Sequence, residues 1–173
     1  MQSRVVPPLA VGLILVIDRR IWTDEIPLTV KAGADETAHL ATTACLLSLI
    51  GDERSRAFYA GAALGSVALD VDHVPMYAAG DARTYRPKTH SFPAVVLVAA
   101  VAARVRGRRR AILQGVTFGL VSHLLRDLLT GGAPLFWPLS GRVVTIGRGS
   151  PPSEASPDEP SYGMACGSRG APS

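Results

Sequence analysis

The sequence predicts an all-α protein: an antiparallel helical bundle, multi-pass in a membrane, followed by a disordered C-terminal tail. Three observations predict it. Hydrophobic residues make up 47% of the 173 residues but aromatics only 6%, so the apolar content is Ala, Val, Leu and Ile, with small residues that let helices approach closely. These residues gather in five windows, Val5–Ile17, Ala38–Ile50, Ala57–Leu69, Ser91–Ala103 and Ala111–Thr130. After Gly147 the pattern gives way to Ser, Pro, Gly and Glu, a composition that buries too little apolar surface to offset its ordering entropy.

The first window follows Arg4 and precedes Asp18-Arg19-Arg20, with Pro7-Pro8 near its start, where proline is tolerated in a helix. No small-x-small cleavage site follows it, which favours an uncleaved anchor over a signal peptide. Residues 1–37 are therefore expected to form an anchor and connecting loop, 38–147 one helical domain, and 148–173 the tail. The first four windows hold 13 residues each. At about 1.5 Å per residue they reach roughly 20 Å, against about 30 Å of hydrocarbon. Spanning thus needs flanking residues, snorkelling arginines and some bilayer thinning, and a soluble bundle of short core helices is the competing reading. The expected location is the inner (plasma) membrane, with lipid as neighbour.

The formal net charge is +4. Its densest source is Arg104-Val105-Arg106-Gly107-Arg108-Arg109-Arg110. No aromatics interleave with that run, so a cytoplasmic loop is favoured and no nucleic-acid partner is expected. Of the two cysteines, Cys45 reads as a small buried hydrophobe and Cys166 falls in the tail. No CxxC spacing exists, so neither a disulfide framework nor a thiolate metal site is indicated.

The polar residues at the window ends carry the chemistry. All four histidines, His39, His73, His90 and His123, lie at or beside an apolar window, as do Asp70, Asp72 and Asp127. Ionisable groups in such places are costly and point to a site. In Ser122-His123-Leu124-Leu125-Arg126-Asp127, the His and Asp are i and i+4 on one helical face, a workable bite for one cation. Alone, that spacing is more often a helix-stabilising pair. In Leu69-Asp70-Val71-Asp72-His73, two carboxylates and an imidazole end a helix, where a capped turn is the plain alternative. Before the fourth window, Thr89 or Ser91 would serve as an ordinary helix cap beside His90. If windows two to five are antiparallel helices on short loops, all of these residues reach one side of the bundle, opposite the arginine run. That convergence favours a metal site.

In order and spacing, Asp70-Val71-Asp72-His73, the Arg86 to Ser91 stretch with Thr89-His90-Ser91, Ser122-His123 to Asp127 and Thr130, and then Phe136-Trp137-Pro138 resemble the YdjM-like family of inner-membrane-associated, metal-dependent hydrolases, over roughly residues 38 to 140. The family pattern places a His near the start of the domain, matched by His39. Two positions depart from it: Tyr85 stands where a His often precedes the motif arginine, and Leu69 where a proline is common. The resemblance implies a multi-pass membrane hydrolase and supplies no substrate.

The expected site uses His39, Asp70, His73, His90, His123 and Asp127 as metal ligands. The cofactor is a divalent metal, zinc first, with manganese or iron as alternatives, since nitrogen and carboxylate donors suit all three. A metal-activated water is the nucleophile, with Asp72 as general base. Arg86, Lys88 and Arg126 are expected to bind an anionic group, which suggests a phosphoester or lipid-like substrate. The alternative reading is a non-catalytic membrane scaffold, or a carrier of metal or protons.

Overall fold

The computed structural model describes residues 6–23, 26–50, 54–75 and 88–146. Within them are five α-helices and no named strand: α1 (Val6–Thr23), α2 (Leu28–Ile50), α3 (Arg56–Val67), α4 (Phe92–Arg104) and α5 (Gly107–Thr130), with a 3-10 turn at Leu69–His73. The all-α expectation stands for these residues. Arg86, Tyr85 and the 148–173 tail lie outside them.

Two helices are longer than the apolar windows suggested. α2 begins at Leu28, with Val30 and Lys31 N–H donating to the Pro27 carbonyl, so it takes in ten residues expected as connecting loop. Lys31, Asp35 and Glu36 interrupt its hydropathy and hid it. α5 begins at Gly107, which leaves Val105 and Arg106 as the link from α4 and places Arg108, Arg109 and Arg110 in the helix. The arginine-rich stretch is thus mostly helix rather than loop. No helix among the described residues is long and apolar enough to cross a membrane; α2 and α5, at 23 and 24 residues, have the length but carry charge.

The centre of the bundle is the contact between α3 and α5. Gly61 and Gly65 on α3 meet Gly115 and Gly119 on α5 backbone to backbone. A Cβ added at Gly61 would lie 2.1 Å from the Ile112 carbonyl oxygen, and one at Gly119 would lie 2.2 Å from that of Ala62. Only glycine permits this approach, the small-xxx-small packing familiar from membrane helices. α1 packs on α2, α2 lies across α3 and α5, and α4 lies against α5. Leu69, Val95, Leu120, Leu124 and Leu128 form the core with Ala133 and Leu135.

The chain after α5 folds back over that core. Gly132, at φ +87°, makes the turn, and its N–H donates to the Asp127 carbonyl. Ala133 and Val144 then exchange backbone hydrogen bonds of 3.0 and 2.9 Å, and the Phe92 N–H donates to the Leu135 carbonyl. This closure ties the end of α5 to the start of α4, next to His90.

Candidate metal centre

His39 comes from mid-α2, Asp70 and His73 from the 3-10 turn, His90 from the residue before the Ser91 N-cap of α4, and His123 and Asp127 from the last turns of α5. All six are buried, and His39, His90, His123 and Asp127 are fully enclosed. They converge. Three overlapping groups bring their ligand atoms within 4.8 Å of one another: His39, Asp70 and His123; Asp70, His73 and His90; His90, His123 and Asp127. The expected ligand set is therefore assembled at one place.

Asp70 is the hub. Its Oδ1 lies 3.2 Å from both His73 Nδ1 and His90 Nε2, and 3.7 Å from His123 Nε2; its Oδ2 lies 3.7 Å from His39 Nε2. Burial pushes the Asp70 carboxyl up. Hydrogen bonds from His73 and His90 and the nearby His123 and His39 rings outweigh that, and hold it well below the usual carboxylate range. Asp127 Oδ2 is 3.3 Å from His123 Nε2 and 3.8 Å from His90 Nε2, and its Oδ1 is 3.7 Å from His39 Nε2. The His39 and His123 rings stack with centroids 3.8 Å apart and 9° between planes.

These donors fit a cation. His123 Nδ1 donates to the Ser66 carbonyl at 2.7 Å, which fixes the tautomer and leaves Nε2 with a lone pair facing Asp70 and Asp127. A backbone carbonyl holding the far nitrogen is the usual support of a ligating histidine. His123 Nε2, both His39 ring nitrogens and Asp70 Oδ2 are buried with no hydrogen-bond partner. Buried polar atoms are normally satisfied, so donors left unsatisfied and aimed at one another describe a ligand set. The donor types suit zinc, manganese or iron(II), and no thiolate is near: Cys45 is free and takes part in none of these groups.

Asp72 belongs to none of the three groups. It sits at the edge, about a quarter exposed, with Oδ1 3.1 Å from His73 Nδ1, and it accepts the Thr89 hydroxyl. Thr89 is thus committed to Asp72 rather than to capping α4, and Ser91 caps that helix without a side-chain hydrogen bond. Lys88 is exposed, 5.9 Å above the Trp137 ring.

Arg126 faces away from solvent. Its guanidinium makes hydrogen bonds of 2.6 and 3.3 Å to Asp18 of α1 and of 3.1 Å to Asp35 of α2. Those carboxylates take up the charge expected for an anionic substrate and tie three helices together. Removing one member of a buried pair leaves an uncompensated charge and costs about 3 kcal/mol. Arg126→Gln is accordingly expected to lower the melting temperature and open α1 to limited proteolysis. Unchanged stability with a raised KM for an anionic substrate would restore the substrate-binding role.

Two acidic residues near the centre went unrecognised in the sequence. Asp35 lies 4.0 Å from His39 Nε2 in addition to holding Arg126. Glu36 interacts with Asp70 and buries Oε2 without a hydrogen-bond partner. Both stand one helical turn before His39, at i−4 and i−3. That spacing is visible once α2 is known to start at Leu28.

A family model described as YdjM inner membrane protein matches residues 35–153, a stretch that contains every residue of the three ligand groups. No curated protein and no solved structure matches the chain.

Proposed function

This chain belongs to the YdjM inner membrane protein family, and from that premise we propose that it is a membrane-bound, metal-dependent hydrolase acting on a phosphoester or lipid-like substrate. The observation that carries the reading is the convergence of four buried imidazoles and two buried carboxylates whose ligand atoms include several with no other partner.

His39, Asp70, His73, His90, His123 and Asp127 are the residues that would hold divalent metal here, and bound metal would supply Lewis acidity and a water acidified toward neutrality. The chain's own groups do the rest. The Ser66 carbonyl keeps the His123 Nε2 lone pair aimed inward. Asp72 orients His73, and its partial exposure at the edge lets it take a proton arriving from the reacting water. Lys88 beside Trp137, together with Arg86, receives the anionic group.

Placement in the inner membrane as a multi-pass bundle is part of the same proposal. It is supported by the family and by apolar faces turned outward: Leu9, Leu13 and Val16 on α1, Val96, Leu97 and Val101 on α4, and Val121, Leu125 and Leu129 on α5. Such contiguous faces are rare on soluble monomers.

The test uses detergent-purified full chain, stripped by chelator and reloaded with zinc, manganese or iron(II), on aryl phosphomonoester, phosphodiester and carboxylic ester substrates. Turnover restored only by metal supports the hydrolase. Tight metal binding without turnover on any of them supports the carrier or scaffold instead. Metal retention is also expected to fall as pH is lowered, because imidazole and carboxylate donors bind a cation only when deprotonated; retention that rises in acid would contradict the ligand set.

A further inference from the structure

We infer that this centre holds two divalent cations rather than one, bridged by Asp70. The inference rests on the metal-centre reading above and concerns the division of its ligands.

Donors on one cation at about 2.0–2.2 Å stand no more than about 4.4 Å apart. Six side chains converge here, yet they fall into three overlapping groups and never into one. His39 and His73 share no group. His39 is joined with Asp70 and His123, while His73 is joined with Asp70 and His90. A single ion therefore cannot use both ends of the cluster, and the member common to the two ends is Asp70.

Asp70 offers both its oxygens: Oδ2 toward His39 at 3.7 Å, and Oδ1 toward His73 and His90 at 3.2 Å with His123 farther off at 3.7 Å. Asp127 turns Oδ1 toward His39 at 3.7 Å and Oδ2 toward His123 at 3.3 Å and His90 at 3.8 Å. A carboxylate whose two oxygens face imidazoles of different groups, as those of Asp70 face His39 and His73, is placed to bridge.

Paired cations clamp the attacking and leaving oxygens of an in-line displacement, the arrangement found in phosphatases and nucleases. Within the proposed hydrolase such a pair would suit cleavage of a phosphoester.

The experiment titrates chelator-stripped full-length protein in detergent with Mn²⁺ alone. Bound metal per chain is counted by plasma mass spectrometry, and the loaded sample is examined by electron paramagnetic resonance. The expected result is two Mn²⁺ per chain with an exchange-coupled spectrum. His73→Ala is expected to retain one ion and lose the coupling, and the wild-type count stands as the test if that variant does not fold. One uncoupled ion per wild-type chain would overturn the two-cation centre and leave the single-metal hydrolase intact. No bound ion would overturn both.

Discussion

His123→Ala is expected to leave the chain folded but well short of the wild-type metal content and without hydrolytic activity. His123 belongs to two of the three ligand groups and approaches both carboxylates of the centre, at 3.3 and 3.7 Å. Its loss removes a donor that the Ser66 carbonyl holds in position, so two of the three groups are broken and only Asp70, His73 and His90 stay complete. The fall in metal affinity should exceed the roughly 10–100-fold that removal of a supporting contact costs. The melting temperature gives a second readout. A cation that binds only the folded state raises it with concentration, so added zinc should stabilise wild type more than the variant. Metal content and zinc-dependent melting unchanged in His123→Ala would remove the centre.

Gly119→Ala is expected to damage the fold as a whole. The added methyl would lie 2.2 Å from the Ala62 carbonyl oxygen and 2.6 Å from the Ser66 nitrogen. Both are backbone atoms of α3, which cannot turn aside as a flexible side chain would. The helices must separate, and overpacking of this kind costs typically 1–3 kcal/mol; with backbone on both sides, about 3 kcal/mol or more is expected. Separation also pulls Ser66 from His123, so metal affinity should fall with stability. Gly12→Ala is the control. Gly12 lies within α1 with open space around its Cβ position, and there alanine should be neutral or slightly stabilising, since it favours helix over glycine. Thermal unfolding in detergent separates the two. Equal stability for both variants would mean that α3 and α5 are not packed backbone to backbone.

The helices were legible because burial leaves an apolar stripe, and five apolar windows became five helices. Their ends were less so. A helix that turns charged residues toward a polar centre carries no apolar signal there, and Asp35 and Glu36 of α2 did so. Gly61, Gly65, Gly115 and Gly119 registered in the sequence only as an abundance of small residues, because which helices meet through them is a matter of three-dimensional pairing.

The ligand set was the most legible part of the site. His39, Asp70, His73, His90, His123 and Asp127 stand where polar residues are expensive, and short antiparallel connections carry them to one place. Arg126 was not legible in this way. Its partners Asp18 and Asp35 lie 108 and 91 residues away in the chain, and no local spacing announces a buried ion pair of such range. Local pattern also does not say which oxygen of Asp70 faces which imidazole; that division exists only once three segments meet.

The most direct test of the metal centre is X-ray absorption at the zinc edge of the zinc-loaded, detergent-solubilised chain. Nitrogen and oxygen donors at about 2.0–2.1 Å with strong imidazole scattering, and no sulfur near about 2.3 Å, are predicted. A shell of water oxygens without imidazole, or a sulfur donor, would contradict the assignment of His39, His73, His90 and His123 to a metal centre.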